Sequence, residues 1–163
     1  MIRDKKPVQA RLGLALQNGF NLSDSRLEPQ LEPPLGAHIL TPRWCYSHHG
    51  IYVGRGRVVH YGGLSRALRR GPIEEVSLDQ FAQGKPVFVR AQPGPVDREE
   101  VVRRARSRLG ENRYHVLANN CEHFCEWCMR GQHRSYQVED LVARYGRARR
   151  LLGVLGVTVR GAA

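Results

Sequence analysis

The sequence predicts a small α+β domain in which an antiparallel sheet is followed by helices. The stretch HHGIYVGRGRVVHYGG reads as two strands around a Gly-Arg-Gly turn. Capped helical patterns come after it, at DREEVVRRARSRLG and NNCEHFCEWCMRG. A chain of 163 residues builds one compact domain and leaves little room for a second.

Each element has its own signal. Residues 1–25 form a basic, weakly apolar leader, and the Pro-rich LEPQLEPPLG then reads as an extended approach to the domain. HILTPRW follows as a first strand, and the His48–Gly63 stretch supplies the hairpin. SLDQFAQG suits a short helix and KPVFVRAQ a further strand. In the next helix Asp97 is the N-cap and Glu100 completes a capping box; Val101, Ala105 and Leu109 make the apolar stripe, and Gly110 ends it. The helix after that has Asn120 as N-cap and Gly131 just past its end. A last helical pattern begins at Ser135 and runs into a basic tail. The expected organisation is a leader and Pro-rich approach over 1–35, a domain over 36–143 and a tail over 144–163.

Twenty-six Lys and Arg against 15 Asp and Glu give a net charge of +11, which favours anionic partners without choosing among them. No secretory signal is visible, and the longest apolar run, LLGVLGVTV, has roughly half the length of a membrane span. The expectation is a cytoplasmic protein with free thiols. Arg144, Arg147, Arg149 and Arg150 precede that run, which suits peripheral contact with an anionic membrane as well as it suits a frayed helix end.

Cys121, Cys125 and Cys128 are spaced C-x3-C-x2-C. That is the iron–sulfur spacing of radical SAM enzymes, but only 35 residues follow Cys128, too few for their barrel. Zinc would draw on Cys45, Cys121, His123, Cys125 and Cys128, yet the paired spacing of a zinc site is missing. No metal or cofactor is expected. Cys125 and Cys128 fall on one helical stripe and read as small buried hydrophobes. Cys121 sits at the first helical position, where the dipole and free N–H groups lower a thiol pKa and make a nucleophile.

A nucleophile needs a base, and the hairpin carries His48, His49 and His60. Neighbours on a strand point to opposite faces, so at most one of His48 and His49 faces a site. An odd-numbered loop such as Gly-Arg-Gly would put His48 and His60 on one side; a two-residue turn would separate them.

HHGIYVG, VVHY and NNCEHF together resemble the lecithin:retinol acyltransferase-like family, in which H-x-[GA]-[IL]-Y-x-G is followed by a second His and then by N-C-E-H-F. RLGENRYHVLANNCEHF, with Tyr114, is similar to the family's approach to its cysteine, whereas Ala37 in GAHIL replaces the usual acidic residue. The resemblance covers about residues 36–140. It implies a permuted papain-like (NlpC-like) fold, the histidine-bearing sheet preceding the cysteine helix. It also implies roles: Cys121 attacks an ester or thioester, His48 is its base, and His60 orients His48. Tyr46 and Asn120 become candidates to line the site or bind the oxyanion; Glu122 and His123 read as capping and packing residues. The implied substrate is an acyl lipid, a phospholipid among them, and the implied activity is acyl transfer or phospholipase A-type hydrolysis.

Two other classes stay open. The same scaffold serves papain-like peptidases and amidases. A non-enzymatic basic module for membranes or nucleic acid would explain the charge, though no RNP, helix-turn-helix or zinc-finger pattern is present and specific nucleic-acid binding is not expected.

Overall fold

A computed structural model describes residues 20–44, 46–62, 71–115 and 119–131, with Val138, Val142 and Ala143. The strands are β1 (Ser25–Arg26), β2 (His38–Pro42), β3 (Ser47–Gly54), β4 (Arg57–Tyr61), β5 (Ile73–Ser77) and β6 (Phe88–Val89). They form one antiparallel sheet in the order β1-β6-β2-β3-β4-β5. The helices are α1 (Leu78–Ala82), α2 (Arg98–Ser107) and α3 (Cys121–Arg130). The α+β class and the order of sheet before cysteine helix are as expected. β1 and β5 were not legible, and the expected helix from Ser135 lies outside the described residues except for Val138, Val142 and Ala143, which are helical.

Strand β3 is buried from Ser47 to Val53, because both faces of the sheet are covered. On one face Ile51, Val53, Val59 and Tyr61 pack against Val101 and Ala105 of α2 and Phe124, Cys125 and Cys128 of α3. On the other, Ile39, Tyr52 and Val58 pack against Phe81 of α1 and Val87.

The hairpin reaches its register by an unexpected route. Its loop is only Arg55–Gly56, both with positive φ, the signature of a two-residue primed turn. That turn alone would set His48 and His60 on opposite faces. A register shift between Tyr52 and Gly54 restores the odd count, so Gly50 pairs with His60 and the two histidines share a face.

Gly50 is glycine for want of space. A Cβ there would lie 2.6 Å from Val58 Cγ1 and 2.9 Å from Phe81 Cε2. Gly50→Val should therefore cost about 1–3 kcal/mol by overpacking, read as a lower midpoint in urea unfolding.

Helix ends follow local rules with two departures. Ser77 and Gln80 close a capping box on α1, and Asn120 and His123 close one on α3, which Gly131 ends at φ 71°. Asp97 caps α2 by accepting from Glu100 N–H, but the Glu100 carboxylate pairs with Arg103 and Arg104 instead of returning to the cap. α2 also stops at Ser107, so Leu109 is left exposed and is not part of the stripe.

Candidate active site

The paired strands β3 and β4 bring His48 and His60 together. His48 Nε2 and His60 Nδ1 are 2.9 Å apart, and both rings are almost fully buried. Phe81 stacks on His48 at 5.2 Å between centroids and meets His60 edge-on. Burial pulls the His48 pKa well below its usual value, with His60 and Arg43 adding to the effect. Burial also lowers His60, to about 4, against the Tyr61 carbonyl that favours its charged form. Both imidazoles are therefore neutral near pH 7.

The two rings open onto a cleft of about 360 Å³ lined also by Arg43, Glu74, Val76 and Phe81. Arg43 is held by the carbonyls of Pro42 and Phe81 and the hydroxyl of Thr41. Tyr46 is half-buried, its ring edge-on to His48 at 6.5 Å. Arg43, Glu74 and Phe81 were missed by the sequence. Their place here depends on strand register and on the return of α1 over the sheet, and only the short helix was legible.

Cys121 opens α3 and is 4% exposed. The backbone N–H groups of His49, Glu122 and Cys121 itself favour a charged sulfur, as expected at a helix N-terminus. Burial nevertheless dominates and pushes the thiol up to about 12. The expectation of a lowered pKa is corrected: the thiol at the head of α3 is neutral, as is the His48–His60 pair. The thiol packs with Ile51, Val59 and Tyr61 on the helix-covered face of the sheet. Its link to the histidine pair is the amide of His49, the residue next to His48, and not a hydrogen bond to the His48 ring.

Cys125 and Cys128 lie in the same core, both with thiols raised by burial. Among the described residues no group of three or more His, Cys, Asp or Glu side chains could hold a metal ion. Cys45 and Arg144, Arg147, Arg149 and Arg150 lie outside the described residues.

Asn120 is engaged as the cap, its Oδ1 accepting from Glu122 N–H and His123 N–H at 3.0 Å each. Glu122 does more than cap and pack: fully buried, it pairs with Arg90 at 3.0 Å, and Arg90 also meets Asp24 at 3.4 Å. Burial works against the Arg90 charge, but Asp24 and Glu122 outweigh it and raise its pKa. Beside this chain, His49 Nδ1 lies 2.8 Å from His38 Nε2, and His38 Nδ1 lies 3.5 Å from Glu126. The helix that presents the cysteine is thus tied to the segment after β6 by a buried ion pair, to β2 by the His38–Glu126 contact, and to β3 by apolar packing.

The fold and site define an α+β domain with a histidine pair on the sheet and a cysteine at the N-terminus of the helix that follows. A family model described as lecithin retinol acyltransferase matches residues 31–134, and the chain belongs to that family. It is 31% identical over 122 residues to the lecithin retinol acyltransferase of Mus musculus, covering 58% of this chain and 53% of that protein. It is 31% identical over 137 residues to phospholipase A and acyltransferase 2 of Homo sapiens, covering 74% of this chain and 85% of that protein. To phospholipase A and acyltransferase 4 of Homo sapiens it is 29% identical over 157 residues, covering 79% and 88%. The chain thus spans about half the length of the lecithin retinol acyltransferases it matches.

Proposed function

We propose that the protein is a thiol-dependent acyltransferase or phospholipase A-type hydrolase that acts on lipid esters through an S-acyl-cysteine on Cys121. The observation that carries this reading is the His48–His60 hydrogen bond on the strand whose next amide, that of His49, faces the Cys121 sulfur. The names of the similar proteins, acyltransferases and phospholipases A, agree with it.

With His48 Nε2 engaged by His60, Nδ1 is the ring atom left to take the thiol proton; because the thiol makes no hydrogen bond to that ring, the transfer runs through one bridging water or a contact formed when substrate binds. The sulfur attacks the ester carbonyl, the C–O bond breaks, and His48 returns the proton to the departing alcohol. The resulting thioester passes its acyl group to an alcohol, an amine or water, whose proton His48 takes before Cys121 regains it. His60 orients His48 as the third member of a triad does. Tyr46 is the candidate to line the site. Asn120 contributes by fixing the first turn of α3.

No helix among the described residues is long and apolar enough to cross a membrane. Trp44, 100% exposed on the loop between β2 and β3, stands next to the cleft residue Arg43. An indole and a guanidinium there suit a lipid headgroup region, and with the tail arginines they make the proposed peripheral contact.

The test is incubation with a phosphatidylcholine carrying a labelled acyl chain. Label should appear on the protein, be released by hydroxylamine and map to the peptide that bears Cys121. Cleavage of a peptide or isopeptide panel with no such label would replace this reading by a peptidase or amidase. Salt-sensitive binding to vesicles or nucleic acid that Cys121→Ser leaves intact, again without label, would leave only a binding module.

A further inference from the structure

We propose that Glu74 is a positioning residue that fixes which nitrogens of the His60–His48 pair carry protons, an inference that rests on the proposed role of His48 as base. Glu74 on β5 is the direct cross-strand partner of His60 on β4, so both side chains face the cleft. Its Oε1 lies 3.5 Å from His60 Nε2. Room for that carboxylate is made by Gly62, where a Cβ would come within 2.8 Å of Glu74 Oε1.

The consequence follows from proton counting. Neutral His60 has one ring proton, and its Nδ1 has two neighbours: His48 Nε2 at 2.9 Å and the Tyr61 carbonyl at 3.2 Å. With the proton on Nε2, it faces Glu74, and Nδ1 is an acceptor for the His48 Nε2–H. His48 Nδ1 then carries a lone pair and can take a thiol proton. With the proton on Nδ1, the Tyr61 carbonyl and His48 Nε2 share it. His48 Nε2 must then be an acceptor, its own proton sits on Nδ1, and the ring cannot act as a base toward sulfur.

The Tyr61 carbonyl favours the second arrangement and the Glu74 carboxylate the first. Glu74 has one side chain face in water, 49% exposed, so its field is partly screened. It has only to outweigh one carbonyl contact, in a pair of rings that Phe81 and the sheet already hold in place. When His48 becomes an imidazolium, the same carboxylate faces its charge across the His60 ring.

The experiment has one arm that needs no substrate. Two-bond proton–nitrogen correlation spectra of the imidazoles, recorded on the full chain near neutral pH, report which nitrogen is protonated. In the unmodified protein His60 and His48 should both carry the proton on Nε2. In Glu74→Val the His48 proton should move to Nδ1. Acyl transfer should fall about 10- to 100-fold in kcat with KM unchanged. Glu74→Gln keeps an oxygen acceptor and should recover most of the rate and the original tautomers. Should the valine variant fail to fold, Glu74→Ala gives the same reading. Unchanged tautomers in a folded Glu74→Val or Glu74→Ala would overturn the proposal. If the protein turns over no lipid ester, the tautomer shift still decides the role of Glu74, and only the reading of the reaction falls.

Discussion

Replacing His48 with alanine should lower the rate of acyl-enzyme formation by about 10³-fold, within the range that a positioned general base supplies. The reason lies in the burial of the thiol more than in the histidine alone. With the Cys121 pKa pushed up to about 12, about one sulfur in 10⁵ is ionised at pH 7 without assistance. The amides of His49, Glu122 and Cys121 remain in the variant and continue to favour the thiolate, so the loss stops short of that whole factor. Lipid affinity should change little, because the cleft keeps Arg43 and Phe81. Pre-steady-state appearance of hydroxylamine-sensitive label measures the effect. Added imidazole should restore part of the rate in His48→Ala, which a variant that had merely lost its packing would not show. A rate within threefold of the unmodified protein would remove His48 from the mechanism.

Local signals account for what was readable in advance. Asn120 and Gly131 bracket α3 as they do in the sequence, since a cap depends on a few neighbouring residues. In the sequence, whether His48 and His60 share a face depends on the loop: that loop is even, and the register shift after Tyr52 puts them on one face all the same. What escaped was non-local. Glu74 meets His60 only through the pairing of β4 with β5, a strand whose sequence IEEVS carries no alternation of apolar residues. Glu122 reads as a capping and packing residue of its own helix, whereas its charge is matched by Arg90, 32 positions upstream. The thiol pKa shows the same division. The helix terminus argues for a lowered value, and burial beneath the sheet reverses the sign.

Those two histidines are also half of a larger buried set. His38 on β2 and His49 on β3 form a second hydrogen-bonded pair, 2.8 Å apart, on the opposite face of the sheet. One sheet thus carries two hydrogen-bonded imidazole pairs, one opening to the cleft and one against α3. Both depend on the histidines being neutral, and this makes acid the natural means of taking the fold apart.

The melting midpoint should accordingly fall as pH is lowered from 7 toward 5, and fall steeply. Burial lowers the pKa of His38, His48, His49 and His60 in the folded chain, His60 to about 4. In the unfolded chain the same groups titrate near 6.5. Below that value the unfolded state binds protons that the folded state refuses, so the stabilisation is complete above pH 6.5 and is lost as pH falls toward the folded pKa values. At pH 5 His60 alone accounts for about 2 kcal/mol, and the other three add to it with the same sign. Glu126, whose pKa is lowered by His38 and Arg130 despite its burial, adds a further loss only near and below the ordinary carboxylate range. The net charge of +11 works in the same direction, since each added proton increases repulsion in an already basic chain. Thermal melts followed by circular dichroism across this range provide the measurement. For a chain of this size each kcal/mol moves the midpoint by about 2–4 °C, so the expected drop is well above experimental error. A midpoint that stays level between pH 7 and 5 would mean that the imidazoles are not held neutral, and the pairing of His48 with His60 as a base and its orienting partner would lose its physical basis.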